Sequence, residues 1–436
     1  MLESSLNIGV PSQRIRLAND RPPGGTGQYV LYWMIANRRA TWNYSLDRAI
    51  DWARQLGKPL VILEALRCDY RWASDRLHAF VIHGMADNER SFARQPVTYY
   101  PYLEGARGEG NGLLAALARE ASVVVTDDFP CFFLPAMLRA AARQVPVQME
   151  LVDSNGLLPM QAADKVFARA FDFRRFLQKT LPDWLLEAPA VKPMKGTKLP
   201  RLDDLPIDIT KRWPRADVAA MAKDTFRLAS FPIDHHVLPS DILGGEAAAR
   251  RQLTAFLDHK FAHYSEQRSE PGKDAASGLS PYLHFGHVSA HEIFAEVIDR
   301  ENWTPDKLSA KANGSSKSWW GMSASGESFL DELVTWRELG YNMCSKQRNY
   351  DRYESLPNWA KKTLAQHVKD PRPHQYTSEE FEQASTHDPL WNAAQRQLVR
   401  EGRIHNYLRM LWGKKILEWS PSPCEALDVM IELNNK

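Results

Sequence analysis

The first third of the chain alternates short apolar runs with amphipathic stretches. Residues 29–35, YVLYWMI, are apolar throughout and bounded by turn residues, which predicts a strand buried on both faces. Further strands are predicted over 59–66, 97–103, 123–126 and 148–152, with helices over 43–56, 76–94, 113–120 and 134–143 between them. Strands and helices alternating at this spacing predict a doubly wound, parallel, Rossmann-like sheet over 28–160. No GxGxxG follows the first strand, so a dinucleotide fingerprint is absent and a mononucleotide-like pocket at the strand ends stays open. The polar residues 1–27, ending in RPPGGTG, read as an N-terminal arm.

The alternation stops after 160. Leu181 to Pro214 holds six prolines among scattered charges, so 161–235 reads as a long linker crossing the surface. Within it, 167–180 is predicted helical, with Arg169, Arg174, Arg175 and Lys179 as a solvated face. From 236 to 436 the pattern is helical, giving an α/β unit followed by an all-α unit. Residues 307–328, rich in Ser, Lys and Gly, read as a mobile surface loop carrying Lys307, Lys311 and Lys317. Three helices close the chain. Asp388-Pro389 opens the first and Gly402 ends it; 403–419 forms the second, stopped by Ser420-Pro421. Ser422, Pro423 and Glu425 supply an N-cap, a first-turn proline and a capping-box acid to the third, whose Leu427, Met430, Ile431 and Leu433 should face a core.

Composition narrows the picture. Of 436 residues, 44% are hydrophobic and 25% charged, as in a soluble globular protein. The formal charge of +2 means that any nucleic-acid contact must come from a local basic patch. Four scattered cysteines without a CxxC pair indicate neither a disulfide framework nor a zinc site. The N-terminus has no apolar signal core, and no apolar run reaches the roughly 18 residues of a membrane span, so a cytoplasmic protein is expected.

Two stretches carry candidate chemistry. Trp412 and Trp419, seven apart on one helix, share a face onto which His405 and Arg409 also fall, with Trp391 on the preceding helix. Such a face suits an aromatic stack around a planar redox cofactor; ordinary core packing is the other reading. In SGLSPYLHFGHVSAHEIF, Ser277, Gly278 and Ser280 let backbone N–H groups approach an anion ahead of a helix starting at Pro281, and Gly286 permits a tight turn. An ordinary helix–loop–helix corner would look the same. Glu332 and Trp336, four apart, share a helix face, and Glu332 is either a surface acid or a carboxyl with a task.

THDPLWNAAQ, RIHNYLRMLWGKKILEW and the closing Leu433-Asn434 together resemble the cofactor domain of class II cyclobutane pyrimidine dimer photolyases. SGLSPYLHFGHVS resembles the flavin diphosphate-binding stretch of photolyases and cryptochromes, and RIRLANDRPPGGTGQYVLYWM, VDSNGLLP, Pro357-Asn358-Trp359-Ala360 and the HxxDPRxxxY pattern from His367 fit the class II family. The resemblance implies an N-terminal α/β domain and a helical domain holding FAD. It also implies a light-driven reaction: fully reduced FAD donates an electron to a dimer flipped out of damaged DNA, the cyclobutane ring opens and the electron returns.

By the same resemblance, Tyr264, Ser277, Gly278, Leu279, Ser280 and Leu283 would lie along the FAD phosphates, and Asn434 would face flavin N5. Arg409 would pair with an acid or set the flavin's field. Glu332, Tyr407 and Met410 would line the dimer pocket, with Trp336 as an apolar clamp. Trp412, then Trp391, with Trp419 nearby, would relay electrons to the flavin.

A deazaflavin-type antenna at the strand ends is compatible with the resemblance, and a monomer acting on ultraviolet-damaged DNA is expected. The family continues past the position of Lys436 with an LDGRDP-like motif, so a C-terminally truncated chain is expected. Asn435 stands where the family has an aspartate, and Asn406 where it has a glycine. A cryptochrome-like photoreceptor, or a degenerate photolyase with impaired FAD binding, is the alternative.

Overall fold

The computed structural model describes residues 7–202 and 204–436. Residues 1–6 of the expected arm lie outside the described residues. Six strands form one sheet: β1 (Ile15–Leu17), β2 (Tyr29–Met34), β3 (Leu60–Leu66), β4 (Thr98–Leu103), β5 (Ala121–Asp127) and β6 (Gln148–Val152). Their order is β1-β6-β5-β2-β3-β4. The helices α1 (Tyr44–Leu56), α2 (Asp75–Phe92), α3 (Leu113–Arg119) and α4 (Leu134–Gln144) alternate with β2 to β6. Every residue of β2 and β5 is buried, which is why β2 is apolar throughout and β5 carries an unbroken Val123-Val124-Val125 centre. Asn43 caps α1 by accepting from the N–H groups of Ser45 and Leu46, and Gly57 ends it at φ 62°.

Strands β2 to β6 are parallel, as expected, but β1 pairs antiparallel to β6, so the sheet is mixed. The arm therefore supplies an edge strand. Arg14 anchors it, its fully buried guanidinium donating to the carbonyls of Gly156 at 3.1 Å and Leu157 at 2.6 Å. Arg16 adds two 2.9 Å bonds to the Asp128 carboxylate. The strand order reverses between β2 and β5, where open α/β sheets usually admit a ligand. Here the N–H groups of Ile35, Ala36 and Asn37 converge on Asp127 Oδ2 at 2.9, 2.7 and 2.9 Å, and Tyr32 donates to Oδ1 at 2.8 Å. The chain's own carboxylate fills this anion nest, so these N–H groups are not free for a ligand phosphate.

The segment 161–235 is anchored along its length. Helix α5 (Ala170–Thr180) places Phe173 and Leu177 in the core of the helical half, Leu205, Ile209 and Trp213 pack on the sheet, and Val218 and Leu228 pack on α2. Arg174, expected to be solvated, instead forms a largely buried bidentate pair with Asp331, at 2.7 and 3.0 Å.

In the helical half, α6 (Glu246–His259), α7 (Ala290–Arg300) and α8 (Ala324–Leu330) enclose Leu253, Phe256, Ile293, Val297 and Phe329. A π-helical turn, Asp331–Trp336, joins α8 to α9 (Arg337–Lys346). The 307–328 loop is pinned. Trp319 and Trp320 are buried, Trp303 donates its indole N–H to the Trp320 carbonyl, and Glu327 accepts from the N–H of Gly321 at 2.9 Å. Its lysines, Lys307, Lys311 and Lys317, are exposed as expected, along with Asn313, Ser316 and Ser318.

The halves meet at Gly286, whose carbonyl takes a 3.0 Å bond from buried Arg39, and at Glu338, which accepts from Leu157 N–H at 2.7 Å and Leu158 N–H at 3.2 Å. The closing helices α10 (Pro389–Glu401), α11 (Asn406–Trp419) and α12 (Pro423–Asn435) build a core of their own. They dock on the α/β half through Arg76 to the Val399 carbonyl (2.6 Å) and Trp72 to Glu432 (3.1 Å). In α12 the buried face is Ala426, Val429 and Leu433; Leu427, Met430 and Ile431 are only half-buried. Ser422 caps α12, but Glu425 accepts the Ser422 hydroxyl at 2.7 Å instead of closing the box on its N–H. Among the described residues, no helix is long and apolar enough to cross a membrane.

Candidate flavin and substrate site

The three closing tryptophans come together. Asp388 caps α10 by accepting from the N–H groups of Leu390 and Trp391, at 2.9 and 3.0 Å, and so fixes where Trp391 leaves the backbone. The Trp391 and Trp412 rings are parallel within 2°, with centroids 6.4 Å apart, and Trp391 meets Trp419 at 6.0 Å and 67°. Trp391 donates its indole N–H to the Trp412 carbonyl at 3.1 Å, and Trp412 donates to buried Gln395 at 2.8 Å. All three side chains are buried in one cluster with Phe381 and Ile416. Contact alone therefore orders them Trp412, Trp391, Trp419.

His405 and Arg409 do not share this buried stripe. His405 caps α11 through Nδ1, 3.2 Å from Tyr407 N–H. Arg409 is exposed and reaches only Asn406 Oδ1, at 3.2 Å, among the described residues. Its neighbours Tyr407 and Met410 are 57% and 58% exposed, unusual for residues of this size unless they face an open surface or a ligand. Asn434 ends α12 exposed, its Nδ2 3.5 Å from Asn435 Oδ1.

A second group gathers around the π-turn. Glu332 forms an ion pair with Arg268, which also donates to Ser328 Oγ at 3.1 Å and lies 5.5 Å over the Tyr264 ring. Burial pushes the buried Tyr264 hydroxyl up to about 12, opposed by Arg268. The π-turn departs from the α-helix expected at Glu332 and Trp336, and such turns re-aim side chains. Trp336 is 49% exposed. In the SGLSPYL stretch, Gly278 adopts φ +69°, where a Cβ would meet Gln252 Nε2 at 2.7 Å. Gln252 donates to the Ser277 carbonyl at 2.7 Å. Leu279 is buried beside Tyr264 and Leu283 packs against the same core, while Ser280 opens a short helix, Ser280–His284, at the surface.

No hydrogen bond, ion pair or ring contact joins the Tyr264–Glu332–Trp336 group to the Trp412–Asn434 group among the described residues. Between them, Trp336, Tyr407 and Met410 remain uncovered, while Tyr264 and the three indoles are buried. Two clefts elsewhere, of about 480 and 580 Å³, contain none of these side chains. The residues present fit FAD. Arg268, Ser277 and Ser280 suit phosphates, Arg409 has no acid partner among the described residues, the Asn434 amide is free to accept and donate, and Trp336 and Met410 offer apolar area.

No protein-family model matches the chain. Curated proteins named deoxyribodipyrimidine photo-lyase do. That of Methanothermobacter thermautotrophicus is 32% identical over 98% of this chain and 86% of its own length. Those of Oryza sativa subsp. japonica and Arabidopsis thaliana are 33% and 30% identical over 97% and 98% of this chain, and 79% and 82% of their own. The chain belongs to the photolyase/cryptochrome family. Among solved structures, a class III photolyase from Agrobacterium tumefaciens superposes with a TM-score of 0.64 at 17% identity, over 94% of this chain and 80% of its own. A cryptochrome from Synechocystis sp. PCC6803 gives 0.63 at 16%, over 93% and 82%. At those identities the likeness speaks to the photolyase/cryptochrome fold alone. Within that family setting, Arg268, Gln252 and Gln395 are the residues that sequence reasoning missed. Arg268 lies four residues after Tyr264, a spacing that could have signalled it.

Proposed function

We propose that the chain is a light-driven lyase that splits cyclobutane pyrimidine dimers in ultraviolet-damaged DNA, of the class II type. The observation that carries this is the ordered contact of Trp412, Trp391 and Trp419, on a helix bundle whose α11 and α12 also carry exposed Arg409 and Asn434, in a member of this family. When bound, reduced FAD would supply the photoexcited electron that opens the cyclobutane ring. Tyr264, Arg268, Ser277, Gly278, Leu279, Ser280 and Leu283 would hold its phosphate side, and Asn434 and Arg409 would address the ring. Glu332, oriented by its ion pair with Arg268, accepts hydrogen bonds from the flipped base, while Trp336, Met410 and Tyr407 cover it with apolar surface. The indole column gives a buried route for electrons toward the cofactor site.

An antenna of the deazaflavin type is proposed at the carboxyl ends of β3 and β5. Support comes from an aromatic cluster there: Tyr70 stacks on Phe133 at 5.5 Å, and Phe132 meets Trp72 at 6.2 Å and His284 at 5.4 Å. The test of the main reading is repair of ultraviolet-irradiated oligothymidine by FAD-loaded, chemically reduced protein. Recovery of thymine absorbance under blue light and not in the dark supports it. Bound FAD without repair favours the photoreceptor alternative, and failure to retain FAD favours the degenerate one.

A further inference from the structure

Two cysteines distant in sequence face one another across the junction of the halves. Cys131 lies in the loop after β5, and Cys344 lies in the last turns of α9. Each thiol perturbs the other, which sets the two side by side. The pairing is held from both sides: Phe132 N–H donates to the Tyr350 hydroxyl at 2.7 Å, and Phe129 meets Tyr341 edge-on at 5.7 Å. Both cysteines are half-buried, so a small reagent can reach them, whereas Cys68 is buried against Glu104 and Cys424 is exposed without a neighbouring cysteine.

We propose that Cys131 and Cys344 form a dithiol that exchanges with small-molecule disulfides, closing a reversible cross-link between the α/β and helical halves. Cys344 is the attacking group. The neighbouring Cys131 thiol holds it below the ordinary value, while the same contact and burial raise Cys131. The Cys344 thiolate attacks one sulfur of a disulfide such as oxidised glutathione and releases one thiol. Cys131 then attacks the Cys344 sulfur of the mixed disulfide and releases the second. Two protein S–H bonds become one S–S bond, and the reagent is reduced to two thiols. The link would tie the loop after β5 to the helix that continues from Glu332 and Trp336.

The test needs neither flavin nor light and is independent of the proposed repair activity. The full chain is equilibrated with a reduced/oxidised glutathione couple, acid-quenched, alkylated under denaturing conditions and peptide-mapped. The expected result is loss of two of the four alkylatable thiols, with the Cys131 and Cys344 peptides joined by a bond that dithiothreitol opens. Cys131→Ser should stop at glutathione on Cys344. If the wild-type protein gains glutathione at Cys424 while Cys131 and Cys344 stay reduced, or links them only after unfolding, the proposal falls.

Discussion

Trp391 lies parallel to Trp412, 2° and 6.4 Å between ring centroids, while its own N–H is tied to the Trp412 carbonyl. A pair fixed this way has little freedom to separate, which suits repeated electron passage. Trp412→Phe should abolish photoreduction of bound oxidised FAD and leave repair by chemically reduced protein intact. The substitution also strips Gln395 of its donor, so a stability loss of about 1–3 kcal/mol is expected. Transient absorption after a flash, with and without prior chemical reduction, checks both halves of this statement. Equal loss of both activities would remove the relay role.

Glu332 is held by Arg268. Glu332→Gln keeps the shape and removes the charge. Losing a charge-assisted hydrogen bond to substrate should cost about 1.5–3 kcal/mol, roughly tenfold to a hundredfold in repair yield or lesion affinity. Bound FAD should be unaffected, as read from flavin absorbance after gel filtration. Departure of the flavin would mean that the Arg268–Glu332 pair is structural.

Glu338 gives the protein a pH signature. Burial raises its carboxyl to about 7, opposed by the N–H groups of Leu157 and Leu158 and by Arg337. A carboxyl whose folded value is raised favours the folded state while it is protonated. Its contribution is therefore fully present below the ordinary carboxylate range and is lost as pH rises through about 7. The full swing is on the order of 3 kcal/mol. Denaturant melts of wild type and Glu338→Gln from acid to mildly alkaline pH should show a difference curve that moves across this window. A flat difference would mean that Glu338 is ionised throughout.

Gly286 has φ +72°, and a Cβ there would sit 1.8 Å from the Ala36 carbonyl oxygen. Gly286→Ala combines backbone strain with displacement of the β2 end, so a loss of more than about 2 kcal/mol is expected by thermal or denaturant unfolding. A near-wild-type melt would show that the two halves can part locally without cost.

What the sequence made legible were the features carried by contiguous residues. YVLYWM and SVVVT are buried on both faces, so their strands announce themselves, as do the caps at Asp388 and Ser422. Features that depend on distant partners were hidden. Strand β1 is three residues with arginine at its centre, and it exists because Arg14 and Arg16 find acceptors more than a hundred positions away. The loop over 307–328 looks polar because two indoles, Trp319 and Trp320, do the anchoring among many serines and lysines. Arg174 looked solvated until Asp331 was brought beside it.

The same distinction holds at the candidate site. The spacing of Trp412 and Trp419 foretold a shared face. That Arg268 bridges Tyr264 and Glu332 could be seen only once the π-turn had aimed the acid.

The absorption spectrum of the purified protein, before and after incubation with FAD, bears most directly on whether the two groups of side chains flank an isoalloxazine ring. Flavin bands that persist through gel filtration at one FAD per chain are the expected result. A colourless protein that takes up no added FAD would contradict the flavin site and the repair reaction built on it.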